Sequence, residues 1–121
     1  MRRLGTDRAV GAIMNAMTYQ VRTETAKRMA AKVAGAGDTK AQMDAIDSMV
    51  RSMVATLALS YRANGHVVAA DRMVAGFATP ERGGQSVERY AGTALHLVLS
   101  LAERHSRPAE MVIATVNGAI G

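Results

Sequence analysis

The sequence predicts an all-α protein: one helical domain over residues 1–121, packed as a bundle of about five helices. Three observations predict it. Glycine and proline divide the chain into pieces of helical length, apolar residues recur within those pieces at 3-4 spacing, and no segment offers a strand for another to pair with. Hydrophobic residues make up 49% of the chain, yet aromatics only 3%, so the core must be built from Ala, Val, Leu, Ile and nine Met. Methionine fills irregular gaps and specifies geometry weakly.

The first helix is predicted over about residues 6–33, with Thr6 as its cap and Gly35-Ala36-Gly37 as its stop. Val10, Met14, Met17 and Val21 line one face. Thr23-Glu24-Thr25 interrupts that stripe, and Ala26, Met29, Ala30 and Val33 resume it, rotated about the axis. Thr39 with Gln42 reads as a capping box opening the clearest amphipathic helix, in which Met43, Ile46, Val50, Met53 and Leu57 form a stripe suited to a core or an interface. Asn64-Gly65 ends it.

A shorter helix follows with Val67, Ala70, Val74 and Phe77 on one side, then the longest loop, residues 78–84, in which Thr79-Pro80 could open a single helical turn. Residues 86–105 admit two readings. Leu95, Leu97, Leu99 and Leu101 alternate as in a strand, whereas Arg89, Thr93, His96 and Ser100 leave a narrow polar stripe on an otherwise apolar helix. Leucine and alanine favour the helix, and its nearly encircling apolar surface predicts a central position. Pro108 opens a last helix whose buried face is Val112, Val116 and Ile120.

Charge is the most uneven property of the chain. The first 34 residues carry seven basic side chains, Arg2, Arg3, Arg8, Arg22, Lys27, Arg28 and Lys32, against Asp7 and Glu24, while the remainder balances eight basic against eight acidic. A local positive field raises encounter rates with phosphate or carboxylate partners. With no zinc finger, no helix-turn-helix turn and no aromatic platform, binding is expected at the nucleic-acid backbone and without base reading.

Composition excludes several chemistries. Absence of cysteine removes disulfides, thiolate metal sites and thiol nucleophiles. His66, His96 and His105 include no pair at the i, i+4 spacing of helical zinc sites, so no metal is expected. Gly83-Gly84 and Gly35-Ala36-Gly37 lack the partners of a phosphate loop, and no serine sits in a nucleophile elbow. No apolar run reaches the roughly 18 residues of a membrane span, so no membrane partner is expected.

The sequence therefore leads to a non-catalytic, cofactor-free, cytoplasmic subunit or accessory protein of a larger assembly. It would form homo-oligomers or join a complex, and would contact nucleic-acid backbone through Arg2, Arg3, Arg8, Arg22, Lys27, Arg28 and Lys32. The alternative is a helical adaptor, chaperone or inhibitor that binds a protein through an exposed Met/Leu/Val face.

Overall fold

The computed structural model describes residues 20, 22–104 and 109–121, and among them are five helices and no strand. Residues 22–33 form α1, followed by α2 (Thr39–Ala63), α3 (Val67–Gly76), α4 (Val87–Arg104) and α5 (Ala109–Ile120). The predicted all-α bundle is the observed fold. The Thr6 cap, the stripe of Val10, Met14, Met17 and Val21, and the Pro108 start lie outside the described residues.

α2 begins one residue earlier in its capping than the sequence suggests. Gly37, at φ +134°, turns the chain so that Asp38 is extended, and the Asp38 carboxylate accepts the Ala41 N–H at 2.8 Å. Asp38 rather than Thr39 is thus the cap. Gln42 does reach backwards, but its amide donates to the Gly37 carbonyl at 2.8 Å, which fastens the turn instead of closing a reciprocal box. At the other end Gly65 adopts φ +84°, the His66 N–H donates to the Tyr61 carbonyl and the Gly65 N–H to Arg62, the paired bonds of a Schellman stop.

Between these ends α2 buries Met43, Ile46, Val50, Met53 and Leu57, with Val54, Ala58 and Tyr61 beside them. The stripe is core. Eight buried positions are more than one neighbour can cover, and α2 packs against α3, α4 and α5. α4 contributes Tyr90, Ala91, Ala94, Leu95, Val98 and Ala102 to the same core, so the two long helices share the centre. Val112, Val116 and Ile120 of α5 are buried as their spacing predicts.

Two faces differ from expectation. On α3 the buried residues are Ala70 and Met73, with Phe77 packed behind them, while Val67 and Val74 are 46% and 54% exposed. This short helix is apolar nearly all round, so spacing alone does not choose a face. The long, unbranched Met73 reaches the core where a valine would not. On α1, Thr25 is buried with Ala26, Met29 and Val33, so the stripe continues through a residue that was expected to interrupt it. A threonine can present its methyl to a core much as valine does.

The segment 77–86 contains no helical turn at Thr79-Pro80. It crosses the start of α2, where Arg82 fastens it.

Candidate functional site

Four of the seven basic residues singled out by charge are described, and all four lie on α1. Arg2, Arg3 and Arg8 lie outside the described residues, as does His105. The four do not form one ridge. Arg22 turns toward α4, where its Nη1 donates to His96 Nδ1 at 2.5 Å. Arg28 turns toward α5 and donates to Asn117 Oδ1 at 2.9 Å. Lys32 follows on the α5 side, its Nζ 3.5 Å from where a Cβ on Gly121 would stand. Lys27 is exposed between them.

This division follows from helix geometry, because residues six and ten apart on a 3.6-residue helix point in different directions. It also has an electrostatic sense. α5 has no basic residue in its own last turn, and Arg28 and Lys32 bring cations to that carbonyl-rich end, where the helix dipole favours positive charge. One of the expected phosphate contacts, Arg28, therefore also holds α1 against α5, and Lys32 lies beside the end of that helix.

Arg22 lies on the wall of an open groove of about 790 Å³ between α1 and the first half of α4. Its floor is small: a Cβ on Gly92 would stand 3.7 Å from the Ala26 Cβ, so the helices cross closely there. Arg89 and His96 line the α4 side, with Glu88 as the acidic member of the lining. Acceptance of the Arg22 N–H by Nδ1 places the proton of a neutral His96 ring on Nε2, which lies 3.5 Å from the Ser100 hydroxyl. Thr93 is already spent within its helix neighbourhood, donating to the Arg89 carbonyl or the Gln85 side chain.

A second open groove, about 550 Å³, lies where Gly83-Gly84 passes the start of α2. Its cations are neutralised by their neighbours. Arg82 Nη2 donates to Asp44 Oδ1 at 2.6 Å and to Asp47 Oδ2 at 2.7 Å, and Lys40 Nζ lies 3.0 Å from Asp44 Oδ2. The buried Tyr90 hydroxyl donates to the remaining oxygen of Asp47 at 2.5 Å, and the Arg82 guanidinium lies 5.7 Å from the Tyr90 ring centre. Hydrogen bonds from Lys40 and then Arg82 hold the Asp44 carboxyl below its ordinary range. Burial, and then the adjacent Asp47 carboxylate, push the Tyr90 phenol up. Such a closed network stabilises a loop; it has little charge left for a ligand.

Sequence reasoning did not find this network or Arg89. Asp44 and Asp47, three apart on α2, are visible as a ridge, but nothing local pairs them with an arginine 35 residues or more away. Among the described residues no three His, Asp or Glu side chains converge as a metal site would need. None of the described helices is long and apolar enough to cross a membrane. Met43, Ile46, Val50, Met53 and Leu57 are all inside the bundle, and among the described residues the large apolar side chains that reach the surface are Leu59, Val67, Val68, Val74 and Met111.

Comparison with known proteins finds no matching family model, no matching curated protein and no matching solved structure.

Proposed function

We propose that the protein is a non-catalytic small helical subunit or accessory protein of a larger assembly, which contacts nucleic-acid backbone without sequence specificity through its basic N-terminal helix. One observation carries this reading: seven cations against two acids fall within the first 34 residues, and the rest of the chain is balanced. Within α1, Arg22, Lys27, Arg28 and Lys32 face a single acid, Glu24. By contrast, Lys40 and Arg82 elsewhere are matched by carboxylates on α2. The protein would act in the cytoplasm, as a homo-oligomer or within a complex.

The test is fluorescence anisotropy with labelled single- and double-stranded DNA and RNA at about 50 and 200 mM salt, the span over which backbone binders lose affinity steeply. Salt-sensitive binding that is lost when Arg22, Lys27, Arg28 and Lys32 are changed to Glu supports the reading. Absence of binding at the lower salt rejects it.

A second reading, an adaptor that binds a protein partner, rests on the exposed valines of α3. Val67, Val68 and Val74 together with Leu59 leave apolar surface around the α2–α3 turn. Val68→Asp with Val74→Asp would then abolish partner capture while leaving nucleic-acid binding unchanged.

A further inference from the structure

We infer that the groove between α1 and α4 is a phosphate-binding site, and that it receives a phosphodiester of the nucleic-acid backbone; this second step rests on the function proposed above. Its charge comes from two helices. Arg22 supplies the α1 wall, whereas Arg89 comes from the charge-balanced part of the chain and joins the basic helix only through the fold. The Arg89 side chain is exposed and has no ion-pair or hydrogen-bond partner among the described residues. By formal charge the lining holds Arg22 and Arg89 against Glu88, with His96 on the same wall as Arg89.

Guanidinium groups suit this ligand because their planar forks pair with phosphate oxygens through charge-assisted hydrogen bonds. The floor suits it as well. Ala26 and Gly92 are the small residues at which the two helices cross closely, and both walls of the groove rise from that crossing. Because the groove is open rather than enclosed, a phosphate that is part of a chain can enter without threading its end. The other groove has the same size class but not the same character, since Asp44 and Asp47 already occupy Arg82.

The experiment uses the full chain, labelled with ¹⁵N, and follows the backbone amides of Ala26, Gly92 and Thr93 at about 50 mM salt, where backbone contacts are strong. Inorganic phosphate is one probe and an oligothymidylate the other. We expect saturable shifts at these amides with the oligonucleotide. Arg89→Glu should weaken oligonucleotide binding by about tenfold, as loss of a phosphate contact does uniformly across sequences, and Arg89→Gln should weaken it less. Arg51→Glu, at an exposed site on α2, should change affinity far less.

The outcomes separate the two ideas. If the oligonucleotide binds but Arg89→Glu behaves like Arg51→Glu, the groove inference is overturned while the nucleic-acid reading stands. If only inorganic phosphate shifts the groove amides, the site is real, its ligand is a free phosphate, and the step from phosphate to phosphodiester is overturned. Shifts at these amides with neither probe overturn the groove inference, and the nucleic-acid reading is then decided by the anisotropy titration alone.

Discussion

Tyr90 and Asp44 each tie stability to pH, in opposite directions. The Tyr90 hydroxyl is buried against a carboxylate, so Tyr90→Phe removes a charge-assisted bond and leaves an Asp47 oxygen without its donor. The loss should be about 1–3 kcal/mol, read as a shift of the urea midpoint at unchanged slope. Because the folded phenol is raised above its ordinary value of 10.0, its contribution is complete below that pH and is lost as pH rises through the folded value. Tyr90→Phe should therefore unfold less steeply than the parent above pH 10. Asp44 acts at the other end of the scale. Its folded carboxyl is lowered from 3.8, so its contribution is present above that pH and is lost as pH falls through the folded value. Asp44→Asn should flatten the acid limb of the stability profile, measured by denaturation at pH 2 to about 5; an unchanged limb would mean that the Lys40 and Arg82 contacts are not kept in solution.

At the level of elements, the tight crossing of α1 and α4 can be tested by size. A Cβ at Gly92 would meet Ala26 at 3.7 Å, an ordinary contact, and alanine is the better helix former by about 1 kcal/mol. Gly92→Ala should thus be neutral or stabilising, whereas Gly92→Leu must wedge the helices apart and should lower the melting temperature. Equal melting for the two variants would mean that the crossing has room for a leucine side chain. The helices themselves were largely legible in the sequence, because apolar spacing and glycine stops act locally. Met43 to Leu57 and Val112 to Ile120 are core where the spacing puts them. α3 was less legible: its residues are apolar on several sides, and the choice of Ala70 and Met73 over Val67 and Val74 is made by α2, which local spacing does not contain. Thr25 is a similar case, since polarity alone misjudges a residue that also carries a methyl.

For the whole molecule, the question is how one charged helix serves both the bundle and a ligand. Charge segregation was visible in the sequence; its division among Arg22 at α4, Arg28 and Lys32 at α5, and Lys27 in solvent was not, because it depends on which neighbours α1 meets. This division makes the variants separable. Each cation that engages a phosphate contributes about −0.9 to the log-log salt slope on duplex DNA, or about −0.7 on single strands. Lys27→Ala should reduce the slope by about that amount with an unchanged melting temperature, because an exposed lysine can be lost without disturbing packing. Arg28→Ala should reduce the slope and also lower the melting temperature, since it removes the Asn117 bond and a cation from the end of α5. Salt titrations paired with thermal melts of the two variants decide the matter. If Arg28→Ala weakens binding but melts like the parent, α1 is not held by that contact and Arg28 is a ligand residue alone; if it melts lower but keeps its slope, Arg28 belongs to the scaffold and the phosphate contacts lie with Lys27 and the α4 groove.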